Sequence, residues 1–477
     1  MPESWRFLAT AMLQVDSQGV SKPETSCYRP VVTKQVFKER NMRRITKGLA
    51  AFSSVALAFS VAACGSDSKP AASESKAAAV DPASLSAELT WWDTSDAKNE
   101  GPVFQELIKQ FNAKYPNVKI NYQSVPFADA QNKFKTAAQA KTGAPDILRA
   151  EVAWVPEFAS LGYLYSLDGS ELLADESDYN AAALASNKFD GKTYGVPQVT
   201  DSLALLYNKE LVQKAGVQVP KTWAELKTAA QAVKQKTGAT GLYINPAGYF
   251  TLPFLYGEGG DLVDTAAKKI VVDSEQNVAG LKAAKDLIDS GAAPKPPATG
   301  AYDTMMTLFK EKKVAFIING PWEVGNVKSA PAFGGVENLG IAPVPAGSAK
   351  AGSPIGGHNY VVYSGVPQEK AAAAVEFIKF MNSAESQAVL ADKLGLLPTR
   401  KSAYEIGSVK NNAVVSAFKP VTESAVSRPW IPEGGQFFGP LDQLATEVLV
   451  QNKDPKAALD AVAQKYKAEV VTSYATN

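Results

Sequence analysis

Two cysteines and one histidine in 477 residues narrow the chemistry at once. Cys27 and Cys64 lie 37 positions apart in a stretch of little globular character, too few thiols for a disulfide framework. A zinc site needs clustered Cys and His ligands, so no metal is expected. One imidazole, His358, cannot fill several catalytic roles. The chain has no G-x-S-x-G, no H-E-x-x-H, and no G-x-G-x-x-G at a strand-to-helix turn. Gly191-Lys192-Thr193 lacks the glycine that a phosphate loop needs five residues earlier, since Ser186 stands there. Asp190-Gly191, between Phe189 and Tyr194, reads instead as a hairpin turn. No cofactor is expected. Lys and Arg number 49 against 48 Asp and Glu, so the basic excess of a nucleic-acid binder is missing. Near the N-terminus, the uncharged run Gly48 to Ala63 covers 16 residues, short of the roughly 20 a spanning helix needs.

What is present is length and apolar content. With 45% apolar residues the chain can bury a sizeable core in two or three domains. "AELTWWDTSD" (Ala87–Asp96) predicts a strand ending in a polar turn. Phe104, Leu107, Ile108 and Phe111 follow at helical spacing up to Pro116. "VKINYQSVP" alternates as a strand, "DAQNKFKTAAQAKTG" predicts a helix stopped at Gly143, and "APDIL" predicts a third strand. This alternation implies βαβ units, a largely parallel sheet and an α/β fold. Thr222 and Glu225 form a capping box at the start of a helix, which places Trp223 in its first turn as a packing residue. "GLYINPAGYFTLPFLYGEGG" reads as a strand, a loop containing Tyr249 and Phe250, and an apolar segment. The whole is too large for one open sheet on one core.

The N-terminal region reads as an export signal. Met42-Arg43-Arg44-Ile45-Thr46-Lys47 is a basic start, and Gly48 to Ala63 matches the length of a signal core. Val61-Ala62-Ala63-Cys64 resembles the lipobox of bacterial lipoproteins. That resemblance implies cleavage before Cys64 and diacylation of its sulfur. An ordinary signal peptide cut nearby, or an uncleaved anchor, is the alternative. Residues 1–41 are expected to be an over-long start or a non-native extension, 42–63 the lipoprotein signal peptide, and 64–85, poor in large apolar residues, a flexible tether. Without residues 1–63, which hold nine Lys or Arg and four Asp or Glu, the net charge is −4. That balance gives no reason to expect an anionic ligand.

Aromatic side chains recur where strands end: Trp91 and Trp92 before Asp93, Ser95 and Asp96; Trp154 near Arg149 and Glu151; Trp322 in "INGPW"; Trp430, Phe437 and Phe438 in "RPWIPEGGQFF". Loops after the strands of α/β sheets are where ligands bind. Aromatic faces suit the C–H faces of sugar rings, while carboxylates and amides bond the hydroxyls. Each aromatic taken singly is as well explained as core. A secreted two-carboxylate glycosidase using Asp93 and Glu151 needs no histidine and is the enzymatic rival.

"TWW", "GAPDIL", "FDGKTYGVP", "LALLYNKEL", "PKTWAEL", "KVAFIINGPW", "GGHNYVV" and "GLLPTRKSAY" occur in this order over about 320 residues. Together they resemble the extracellular solute-binding proteins (family 1) of carbohydrate ABC importers, the maltose/maltodextrin-binding group in its Gram-positive lipoprotein form. The resemblance implies a two-lobe periplasmic-binding-protein-like fold (type II) with the ligand cleft between lobes. Lobe 1 would be 86–199 and 346–397, and lobe 2 would be 200–345 and 398–477, with crossings near Thr200–Leu203, Ala342–Pro345 and Leu396–Thr399. Matched motif by motif, it implies ligand contacts at Asp93, Ser95, Asp96, Glu151, Trp154, Asp201 and Tyr249. Trp322 would be a stacking platform, with Phe437 and Phe438, or Trp430, as the late aromatics. His358 and Asn359 follow Gly356-Gly357, which allow close backbone approach, and are further candidates. Two departures bear on which sugar is bound. Ala247-Gly248 replaces a glutamate-bearing loop, and the tryptophan expected after "DI" is displaced to Trp154.

The implied protein is not an enzyme. It would be a monomer, lipid-anchored at the extracellular face of the cytoplasmic membrane, capturing maltose or maltodextrin for the membrane subunits of an ABC permease. Trehalose or another oligosaccharide is the alternative ligand.

Overall fold

The structure is a computed structural model describing residue 81 and residues 83–476. The expectations for residues 1–63, for Cys64 and for most of the tether lie outside the described residues.

Strand β1 (Ala87–Asp93) alternates its bulk, sending Leu89 and Trp91 to one face of the sheet and Trp92 to the other. Trp91 is fully buried in a ring of Phe104, Tyr122, Tyr360 and Phe377, with centroids 5.3–5.9 Å away. The tryptophan pair is therefore core. β1 pairs in parallel with β2 (Val118–Ser124) and β3 (Ile147–Glu151), Trp91 lying opposite both Tyr122 and Ile147. The crossovers are α1 (Gly101–Lys114), which buries the predicted stripe, and α2 (Phe127–Ala140), which ends with Lys141 in a left-handed conformation. α3 (Trp154–Ser160) follows β3. Asp190 and Gly191 both take positive φ (47° and 74°) at the tip of a two-residue hairpin, as the sequence predicts.

β4 (Gly195–Ser202) leads through Leu203 alone into β5 (Ala204–Asn208), which belongs to a second sheet. That sheet also holds β6 (Thr240–Tyr243), β7 (Val314–Asn319) and β8 (Leu339–Pro343), in the order β8-β5-β7-β6. The chain then returns as β9 (Ser353–Val362), antiparallel to both β3 and β4, and later as β10 (Leu397–Pro398) at the edge. The first sheet runs β10-β4-β9-β3-β1-β2, with Ala425–Val426 beside β9. The sheets are thus mixed rather than largely parallel. A strand that comes back from the other lobe re-enters running the opposite way.

Two α/β lobes result. One core surrounds the second sheet, and separate clusters cover the two faces of the first. Four further helices pack into the core around the second sheet. α4 (Trp223–Thr237) is capped by Thr222, whose Oγ1 accepts from the Glu225 N–H at 3.2 Å, while Glu225 accepts from the Lys221 N–H at 2.7 Å. Trp223 stacks on Phe254 at 4.2 Å. α5 (Gly248–Gly257) stands where a loop at Tyr249 and Phe250 and an apolar segment are expected, and all its residues except Tyr249 are buried. A helix buried all round has no amphipathic period to read. α6 (Ala301–Lys310) precedes β7, and α7 (Phe438–Ala445) packs on α5.

Candidate functional site

A cavity of about 710 Å³ lies between the lobes, walled by the C-terminal ends of β1, β3 and β7 and by α5 and α7. Its lining includes, of the sequence candidates, Ser95, Asp96, Glu151, Trp154, Asp201, Tyr249, Trp322, His358 and Phe438.

The second-lobe wall is a run of aromatics. Phe438 packs on Tyr249, Tyr249 on Phe250, and Phe250 on Tyr302, with centroids 5.9–6.1 Å apart. Trp322 joins them by donating its Nε1–H to the Tyr302 hydroxyl at 2.8 Å. That hydroxyl donates in turn to Glu323 Oε1 at 2.6 Å. The indole lies against Gly320, where a Cβ would fall 1.9 Å from the ring, so only glycine fits beneath it. Asn99 of the first lobe donates to the Trp322 carbonyl at 3.2 Å, and Asn326 donates to Asp96 at 3.3 Å. The two walls therefore touch at this rim.

On the first-lobe side, Gly357 takes a φ of 135°, and a Cβ there would lie 2.2 Å from the Val199 carbonyl oxygen. At Gly356 a Cβ would strike Asp201 Oδ1 at 2.1 Å and the Tyr249 hydroxyl at 2.6 Å. The glycine pair thus lets Asp201, on β4 of the first sheet, and Tyr249, on α5, come to 3.5 Å of each other. Burial pushes the Asp201 carboxyl up to about 7, against the pull of Arg428. Beside it, both ring nitrogens of His358 are buried without a hydrogen-bond partner. Burial, helped by Arg149 and Arg428, holds its pKa well below the usual range. The neutral ring offers one N–H and one lone pair, the complement of a hydroxyl.

Two arginines, neither among the sequence candidates, hold the carboxylates. Arg428 is buried, pairs with Glu151, donates Nε–H to the Ile355 carbonyl at 2.9 Å, and lies 5.5–5.6 Å from the rings of Tyr249, Trp430 and Phe438. Arg149 bonds Gln198 at 2.8 Å and lies 3.6 Å from Glu100. Burial raises Glu100 to about 7, with Arg149 opposing. Glu323 is likewise raised by burial.

Four candidates sit elsewhere. Asp93 is fully buried, accepting from the Ser95 N–H and hydroxyl and from the Tyr122 hydroxyl at 2.6 Å, so it shapes the turn from beneath. Asn359 is buried and spent on Asn187 and Ser186, since side chains alternate along β9 and only His358 faces the cleft. Phe437 packs on Tyr466 at 4.8 Å in the second-lobe core. Trp430 stays half-buried outside the cavity lining. Of the late aromatics, Phe438 reaches the cavity. Sequence reasoning also missed Glu100, Phe127, Tyr302, Glu323 and Asn326. Only Tyr302 carried a signal, as an aromatic opening a helix ahead of the "INGPW" strand.

Mixed sheets in two lobes and an aromatic, carboxylate-bearing cleft define an interlobe solute receptor. The sequence profile of bacterial extracellular solute-binding proteins matches residues 106–417, and the chain belongs to that family. The GacH receptor of Streptomyces glaucescens, solved unliganded and in complex with acarbose and an acarbose homolog, is 48% identical. It superposes with a TM-score of 0.79, covering 82% of this chain and 100% of that one. A maltotriose-binding protein of Pyrococcus abyssi is 28% identical over 382 residues, 78% of this chain and 80% of its own length. A maltooligosaccharide ABC transporter solute-binding lipoprotein of Streptococcus pneumoniae is 27% identical over 437 residues, 88% of this chain and 96% of its own.

Proposed function

We propose that this chain captures maltose-type α-linked oligosaccharides in the cleft and hands them to an ABC permease without chemical change. The observation that carries this is the aromatic wall from Phe438 to Trp322, set against Asp201, His358 and the Arg428–Glu151 pair. Flat apolar faces with hydroxyl-matching groups between them fit pyranose rings. The relatives that bind maltotriose, maltooligosaccharides and acarbose support the α-glucan class. The glycosidase alternative loses ground because Asp93 is buried under Ser95 and Tyr122, and Glu151 is tied to Arg428.

The lobes are assigned as 86–199 with 346–397, and 200–345 with 398–477. Sugar touching both lobes drives closure only as far as it binds the closed form better. Cys64 is the lipid attachment point after cleavage of 42–63, holding a monomeric receptor at the extracellular membrane face. A thermal-shift panel of maltose, maltotriose, maltotetraose and trehalose, with chromatography of the recovered sugar, tests the reading. Stabilisation by the maltooligosaccharides with intact recovery is expected. Released glucose would favour the glycosidase, and stabilisation by trehalose alone would move the ligand class.

A further inference from the structure

Two stacked aromatic rings, Trp154 and Phe127, line the same end of the cleft, and Trp154 is the covered one. That indole follows β3 and lines the cavity, but it is 5% exposed. The Phe127 ring stacks on it at 5.2 Å and 28°, and Phe158 packs against it at 6.2 Å. Gly435 closes in as well, where a Cβ would lie 3.3 Å from Trp154 Cδ1. Little of the indole is left to receive a ligand.

Phe127 is the opposite case. It is 50% exposed, and of the four large apolar side chains exposed among the described residues it alone lines the cavity. Its placement is rigid. Pro126 precedes it with φ −53°, the Val125 N–H bonds the Asp93 carbonyl at 2.8 Å, and the Asp129 and Ala130 N–H groups bond the Pro126 carbonyl. Trp154 backs the ring, and the His358 imidazole meets it edge-on at 6.0 Å. A pre-positioned phenyl with a free face at a cavity wall loses little freedom on binding and gains from covering that face.

We infer that Phe127 is a second stacking platform, which takes an additional pyranose ring of the oligosaccharide and so sets a preference for longer chains. No ring contact joins Phe127 or Trp154 to the aromatic run that ends at Trp322. The two platforms are therefore separate, and a chain must be long enough to use both. The inference rests on the α-glucan reading and on Trp322 as the first platform.

The test is calorimetric titration of the full lipid-free protein with maltose and with maltotetraose, in wild type, Phe127→Ala and Phe127→Tyr. Phe127→Ala is expected to weaken maltotetraose about tenfold and maltose less than twofold, with Phe127→Tyr near wild type. Its melting temperature should stay within a few degrees of wild type, because the ring is half exposed. Wild-type maltotetraose affinity in Phe127→Ala, or equal losses on both sugars, would overturn the inference. Wild-type protein that binds neither sugar would instead sink the α-glucan reading beneath it.

Discussion

Replacing Trp322 with alanine removes an indole fixed before any ligand arrives. Its N–H is held by Tyr302, its carbonyl by Asn99, and its ring rests on Gly320. A sugar ring that covers about 80 Å² of the indole face gains about 2 kcal/mol at 25 cal/mol per Å². Because the ring is already ordered, little of that is spent on immobilising it. Trp322→Ala should therefore weaken maltotriose binding about thirtyfold. Trp322→Phe keeps a face but loses the bond to Tyr302, and should fall in between. Trp223→Ala is the control. Its indole stacks on Phe254 inside the second lobe, so it should lower the melting temperature while changing affinity less than threefold. Calorimetry with maltotriose on the three variants reads all of this. Trp322→Ala within twofold of wild type would refute the reasoning.

Three other perturbations separate the remaining parts of the account. Arg428→Met strands Glu151 and should cost about 3–5 kcal/mol in denaturant unfolding, with much of the loss recovered in Arg428→Met/Glu151→Gln; additive losses would show that the pair is not coupled. Glu100 has a folded pKa of about 7, above its unfolded value of 4.5, so its contribution is full below pH 4.5 and is lost as pH rises through 7. Glu100→Gln does not titrate, so its melting temperature should gain on wild type from pH 4.5 to 8, and parallel curves would contradict the assignment. Cys64→Ala should release the protein from membranes or leave it unprocessed, and fractionation identical to wild type would remove the lipid anchor.

The fold was legible where local chemistry repeats. The Thr222 cap, the Asp190-Gly191 turn and the stripe on α1 all rest on near neighbours in the chain. The sequence shows a loop at Tyr249 and Phe250 and an apolar segment after it rather than α5, because burial on all sides erases the helical period. For the site, residue type was legible but occupancy was not. Asp93 and Asn359 carry suitable groups, yet Tyr122, Asn187 and Ser186 had already claimed them. Arg428 is 277 positions from Glu151 and meets it only because the chain crosses between lobes. Phe127 carried no sequence signal. A phenylalanine at the start of a helix is ordinarily core, and only its exposure beside Trp154 marks it.

The most direct test of where and what this receptor binds is a crystal structure grown with saturating maltotriose. The account predicts glucose units in the interlobe cavity, one ring on the Trp322 indole and hydroxyls within hydrogen-bond distance of His358 and Asp201. An interlobe cavity left empty, or sugar seated instead in the groove that Tyr115 and Phe380 line on the first lobe, would contradict it.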